Sequence, residues 1–299
     1  GVAPEFRKTG HWFNTPGDRP LTLHGLRGRV VLVDFWTYTC INCIRTLPFL
    51  KALDARYRDA GLTIVGVHTP EFPFEHEASN VDAAVHSDGL RYPVAQDNNY
   101  GTWDAWGNQY WPADYLIDAR GSVRESHFGE GGYAATERDV RALLREAGAK
   151  RLPRPFAIHV PTPSAGLATP ETYLGTARAD GWLSGPHDGV TDYEAPSGEL
   201  PVSRFAYDGR WKVTPEQATP AGPGASIHVT FQARRVYLVL SSAGGTPRQV
   251  GLVLDGERMP GVTVTGQRLY TLVRLPKAGR HALEVHVPRG VTGFAFTFG

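Results

Sequence analysis

Cysteine and methionine are scarce in this chain of 299 residues: two cysteines, and a single methionine, Met259. Two cysteines are too few for a disulfide framework and, alone, too few for a tetrahedral zinc site. Nor does one sign of charge dominate. The 31 basic and 30 acidic side chains leave a net of +1, made of −3 over residues 1–150 and +4 over residues 151–299. Neither half carries the basic surplus that a phosphate backbone demands, so nucleic acid is not an expected partner. Long hydrophobic runs are missing too. Stretches such as Val236–Leu240 span five residues, against the ~18 of a membrane helix. With 41% apolar and 20% charged residues, the composition excludes wholesale disorder. The length fits about two domains of roughly 150 residues each. The chain starts at Gly1 rather than Met, so the expectation is a processed or excised piece whose signal peptide or membrane anchor has been removed.

What is present divides the chain. Residues 1–149 alternate strand and helix patterns. Arg29–Trp36 and Leu62–His68 are apolar runs suited to buried strands, and a short strand is expected within Tyr92–Gln96. Between the first two runs, Ile41, Ile44, Leu47, Leu50, Leu53 and Tyr57 recur at helical spacing. Ala113–Asp118 and Ser122–Phe128 read as a hairpin, and Glu137–Ala147 as a last helix capped by Thr136 and Asp139 and stopped by Gly148. Residues 150–170 are rich in proline and read as a linker or surface strap. Residues 171–299 show short alternating runs, with Asp-Gly turn signals at 208–209 and 255–256. That pattern predicts an all-β antiparallel sandwich of jelly-roll kind.

The two cysteines form one motif, Cys40-Ile41-Asn42-Cys43, at the junction of a buried strand and a helix. Free N–H groups and the positive end of the dipole at a helix N-terminus stabilise a thiolate. Cys40, the outer residue, is the expected nucleophile. Cys43, one turn further in, is placed to attack a mixed disulfide and release the substrate. The redox group is then the Cys40–Cys43 disulfide itself, with no metal and no organic cofactor. The alternative is a half zinc site completed by histidine, but no two histidines near the motif stand at ligand spacing.

The segment VVLVDFWTYTCINCIRTLP resembles the active-site region of thioredoxin-fold proteins, especially their extracytoplasmic TlpA-like branch. The resemblance covers roughly residues 10–148 and implies an α/β thioredoxin fold there. It implies a buried acid at Asp34, six residues before Cys40, that takes the proton of Cys43. It matches Pro48 to the family's helix proline and Pro112 to its cis-proline, which faces the disulfide. Trp111 and Tyr38 are the candidates to line a substrate groove, with Trp103 and Trp106 either flooring it or packing the core. The turn Asn14–Gly17 before a Leu21–Leu23 strand is similar to the TlpA-like N-terminal hairpin. Glu71 and Glu75 are expected on a solvated loop near the cysteine pair. Ile41-Asn42 stands where thioredoxin has Gly-Pro, and that dipeptide helps to set the potential, so the motif alone does not choose between reductase and oxidase. The threonine–proline–cysteine motif of redoxin peroxidases is absent.

TYTCINCIRTLP followed by VHTPEFPFEHE further resembles the C-terminal part of DipZ-type proteins. That resemblance implies a CcdA-like membrane domain as electron donor, disulfide-bearing envelope proteins as substrates, and an extracytoplasmic location tethered to the membrane. It also gives residues 171–299 the slot of a carbohydrate-binding-module-like sandwich. Trp182, Tyr193, Tyr207 and Trp211, beside Asp180, Asp192, Asp208 and Arg210, are the candidate glycan contacts. The expectation is a thiol–disulfide oxidoreductase, working as a protein-disulfide reductase. The rival is a cell-envelope glycan-binding protein whose redox domain is secondary.

Overall fold

The run Val30–Trp36 is buried at all seven positions, as a strand with neighbours on both sides and cover on both faces requires. The computed structural model describes residues 1–299, and their contacts divide into two units, Gly1–Thr162 and Pro163–Gly299. The first unit runs β1 (Trp12–Phe13), β2 (Val30–Trp36), α1 (Ile41–Tyr57), β3 (Leu62–His68), α2 (Ala78–Ser87), β4 (Val94–Gln96), α3 (Gly101–Trp106), β5 (Ala113–Ile117), β6 (Val123–Phe128) and α4 (Tyr133–Glu146). Its sheet has the order β1-β4-β3-β2-β5-β6. β2, β3 and β4 are parallel, while β5 and β6 return antiparallel on the far side of β2. This is the thioredoxin fold that the sequence led us to expect.

Local chemistry explains the elements and the departures. α1 buries Ile41, Leu47, Leu50, Leu53 and Tyr57 against the sheet, each worth about 1.5–3 kcal/mol. α4 starts a turn earlier than expected, at Tyr133, because Gly131 and Gly132 take positive φ and turn the chain into it. Thr136 and Asp139 therefore lie inside the helix and cap nothing. The N-terminal hairpin is also corrected. β1 pairs with β4 instead, and Leu21–Leu23 forms no strand. The Glu5 carboxylate takes the N–H groups of Leu23 and His24, satisfying them without a ladder. Part of the proline-rich segment is tied to this unit: Phe156 N–H donates to Glu137, and its ring lies 5.8 Å from that of Phe49.

The second unit is β7 (Thr172–Tyr173), β8 (Gly189–Tyr193), β9 (Arg204–Val213), β10 (Ala218–Pro220), β11 (Ser226–Ser242), β12 (Arg248–Leu254), β13 (Glu257–Val264), β14 (Arg268–His286) and β15 (Val291–Phe298). Its strands pair antiparallel in one sheet, β13-β12-β14-β11-β15-β10-β9-β8, with β7 on β15. The sheet curls on itself: Ser203, just before β9, donates to Thr230 of β11 at 2.7 Å, although β15 and β10 separate the two strands in the ladder. β11 and β14 each join two of the expected strands through register shifts. Asp255-Gly256 makes the hairpin turn with both φ positive, whereas Asp208-Gly209 lies within β9 and turns nothing.

The glycan-contact expectation is corrected here. Trp182, Tyr207 and Trp211 are 7%, 3% and 0% exposed and belong to the core. Trp182 stacks on Tyr207 at 4.1 Å, and half-buried Tyr193 tilts against the same ring at 5.2 Å. Their polar tips are satisfied inside, on the carbonyls of Tyr173, Leu174 and Asp208 for Trp182, Tyr207 and Trp211 in turn. Trp182, Tyr207 and Trp211 thus offer no open face for a pyranose.

Candidate active site

β2 ends at Trp36, and four residues later Cys40 caps α1. Its Sγ accepts the Cys43 N–H at 3.2 Å, the bond that a polar N-cap side chain makes at this position. Both cysteines are free thiols, Cys40 half-buried and Cys43 with no exposed surface. The outer cysteine keeps some exposed surface and the inner one none. Burial above all, then Cys40 and the Asp34 charge, push the Cys43 thiol well above its ordinary range. Cys43 therefore needs a base before it can act as a nucleophile.

Asp34 is a candidate base, close enough for its charge to act on Cys43. It lies in β2, 1% exposed, and neither carboxyl oxygen has a hydrogen-bond partner. Burial, then the Asp114 carboxyl opposite on β5, hold its proton affinity well above the usual carboxylate range. A carboxyl raised in this way is matched to a thiol far better than a solvated one.

The peptide bond between Trp111 and Pro112 is cis. β5 begins at the next residue, and Ala113 pairs with Phe35, so Pro112 lies at the same end of the sheet as the Cys40 link. Tyr110 and Phe128 beside it are 53% and 49% exposed, with their rings 5.3 Å apart. Gly129 N–H donates to the Pro112 carbonyl, which holds the β6 end against the proline. An apolar rim thus borders the cis-proline, and Phe128 is a member that sequence reasoning missed.

A redoxin family model matches residues 3–144, and a model described as a thioredoxin like C-terminal domain matches residues 169–299. The DipZ proteins of Mycobacterium bovis and Mycobacterium tuberculosis are each 40% identical over 306 aligned residues, covering 100% of this chain and 43% of theirs. The chain is thus similar over its whole length to a part of the DipZ proteins. It spans less than half the length of those two relatives. The thiol-disulfide oxidoreductase YkuV of Bacillus subtilis is 27% identical over 115 residues, 38% of this chain and 77% of that protein.

The structure brings together Cys40, Cys43 and Asp34, and sets Pro112 at the same sheet end. It separates others from their expected roles. Tyr38 is buried rather than lining a groove, its ring stacked on His68 at 5.8 Å. Trp111, by contrast, stays half-buried at the cis bond, with its Nε1 donating to the Thr69 carbonyl and its ring 4.3 Å from Trp103. Trp103 and Trp106 pack edge-on against Phe35, which makes them core rather than groove.

Glu75 is the larger correction. It is 0% exposed, not solvated. Its carboxyl accepts from the N–H and hydroxyl of Thr39, and from the N–H groups of Glu71 and Phe72. Burial raises its proton affinity, and the bonds from Thr37 and Thr39 oppose that rise. His68, which sequence reasoning passed over, is fully buried at the end of β3. Its Nε2 takes the Tyr38 N–H at 3.3 Å, and burial pulls its pKa down to about 3, keeping the ring neutral. Together these two residues hold the Thr37–Thr39 link that carries Cys40.

Proposed function

We propose that this chain reduces protein disulfides by thiol–disulfide exchange. The observation that carries the reading is a half-buried Cys40 at a helix N-terminus above a fully buried Cys43, with an unpartnered Asp34 behind it. The Cys40 thiolate attacks a substrate disulfide and releases one substrate sulfur as thiolate, which water protonates. Cys43 gives its proton to Asp34, and its thiolate attacks Cys40 Sγ. The Cys40–substrate bond breaks, the second substrate sulfur leaves with the electron pair, and water protonates it. Two electrons pass from the cysteine pair to the substrate. The redox group is the cysteine pair, and the chemistry calls for no metal and no organic cofactor. The rim of Tyr110 and Phe128 beside Pro112 suits an extended apolar stretch of an unfolded or loop substrate.

The DipZ likeness supports a membrane-anchored, extracytoplasmic setting, in which a CcdA-like membrane domain returns the pair to dithiol. Disulfide-bearing envelope proteins are then the substrates. Insulin reduction with dithiothreitol as electron source tests the activity. The chain should accelerate precipitation of the insulin B chain, and Cys40→Ser should not. Equal rates with and without the wild-type chain would overturn the reading. The glycan-binding rival loses three of its four candidate rings to the core of the second unit, and no other observation favours it.

A further inference from the structure

Asp34 has a problem of access. A base that receives the Cys43 proton on every turnover must return it to solvent, and Asp34 is 1% exposed. Its position in the sheet offers a route. Asp34 is the register partner of Asp114 across β2 and β5, and Asp114 is the register partner of His127 across β5 and β6. Register partners point to the same face, so the three side chains stand in one row from the sheet centre to its edge strand. Adjacent strands lie about 4.8 Å apart, which puts the whole row within roughly 10 Å.

Exposure rises along the row. Asp34 is buried, whereas Asp114 and His127 are half-buried and line a cleft of about 200 Å³ with Leu116, Glu125 and Asp139. That volume holds several waters, at about 30 Å³ each. No other residue donates to either oxygen of Asp34 or to Oδ1 of Asp114, and the two carboxyls are left to share a proton with each other. His127 Nε2 lies 3.3 Å from the Glu130 carbonyl and donates to it, which leaves Nδ1 as an acceptor. Gly132 makes room for that ring, since a Cβ there would come within 2.9 Å of it.

The other ionisable groups around the row are Cys43 from α1, Tyr92 before β4, Glu125 from β6, and Tyr133 and Asp139 from α4. Arg45 of α1 is spent on Glu130 at 2.6 Å. His127 is thus the cation-capable group that faces the two acids: burial raises the Asp114 carboxyl to about 6, and the charge of His127 opposes that rise.

We propose that Asp114 and His127 relay the proton that Asp34 takes from Cys43 out to solvent through the cleft beneath α4. This rests on Asp34 being the base for Cys43. After each resolution step the proton on Asp34 passes to the Asp114 carboxylate, then to His127 Nδ1, and from the imidazolium to water or buffer. The row ends as it began, and no electrons move in these transfers.

The test follows the second thiolate released when the reduced chain reacts with the aromatic disulfide dithionitrobenzoate, because that release reports attack by Cys43. Asp34→Asn should slow it at least tenfold at pH 7. His127→Ala should slow it about fivefold in dilute buffer, and added imidazole should restore it in a concentration-dependent way while leaving the wild type unchanged. Asp114→Asn should slow it without imidazole rescue, because the gap lies inside the row. If Asp34→Asn is slow but His127→Ala matches wild type from pH 6 to 9, without an imidazole effect, the relay is wrong and the base assignment stands. If Asp34→Asn itself matches wild type, the base assignment falls and the relay with it. Should Asp114→Asn fail to fold, the imidazole dependence of His127→Ala, on the edge strand, decides.

Discussion

Glu75 accepts hydrogen bonds from both the N–H and the hydroxyl of Thr39, at 3.3 and 2.5 Å, and Thr39 is the residue before Cys40. The same carboxyl gathers the N–H groups of Glu71 and Phe72 at 2.7 and 3.0 Å, so one buried side chain ties two loops together. Removing it strands several buried donors, each costing about 1–3 kcal/mol. Glu75→Ala should lose about 3 kcal/mol in urea unfolding and change the rate at which iodoacetamide alkylates Cys40. Glu75→Gln, which keeps an acceptor oxygen, should lose less. A Glu75→Ala variant within about 0.5 kcal/mol of wild type, the usual spread for surface changes, would contradict this role.

The division of labour between the thiols has a direct signature. Cys40→Ser should abolish insulin reduction. Cys43→Ser should keep the first attack and accumulate mixed disulfides with substrate, visible by mass spectrometry of acid-quenched samples. Cys43 has no exposed surface, so in reduced protein iodoacetamide should label Cys40 first. Faster labelling of Cys43 would reverse the roles.

The pH dependence of stability should expose Asp34. Its folded-state proton affinity is raised, by burial and then by Asp114. The stability tied to its protonated form is therefore fully present below the unfolded pKa of ~3.9 and is lost as pH rises through the folded value. Asp34→Asn cannot ionise. In reduced protein it should match wild type near pH 4 and exceed it by at least about 1 kcal/mol at pH 8, the scale of an unsatisfied buried polar group. Denaturant midpoints across that range check this. A constant offset between the two curves would mean that Asp34 is not a raised acid.

His68 should act in the opposite direction. Its folded pKa of about 3 lies below the ~6.5 of the unfolded chain, so on acidification the unfolded state takes up the proton first. His68 therefore erodes stability from about pH 6.5 down to about pH 3, by up to ~1.4 kcal/mol per pH unit. His68→Gln should be less stable at pH 7, from lost packing against Trp36 and Tyr38. Its stability should also fall less steeply between pH 6 and pH 4. Parallel curves would contradict a neutral buried ring.

The parts of this molecule that sequence reasoning reached are those whose signals are contiguous. VVLVDFW, the helical spacing after it and the CxxC at their junction lie within 28 residues, Val30–Tyr57, and their burial follows from local periodicity. Asp114 and Glu75 were out of reach for a common reason. Glu75 meets Thr39 across 36 residues, and Asp114 meets Asp34 only through the β2–β5 register. Trp182 and Tyr207 misled because turn-rich flanks look exposed, while a curled sheet closes over them. The long strands β11 and β14 were read in halves, since bulges interrupt alternation in sequence without ending the ladder.

The reduction potential of the Cys40–Cys43 pair, measured by equilibration against glutathione and dithiothreitol buffers, tests the reductase reading most directly. The account predicts a value nearer the about −270 mV of thioredoxin than the about −120 mV of a strong oxidant, with the oxidised form at least as stable as the reduced one. A potential near −120 mV, with the dithiol clearly the more stable form, would contradict it.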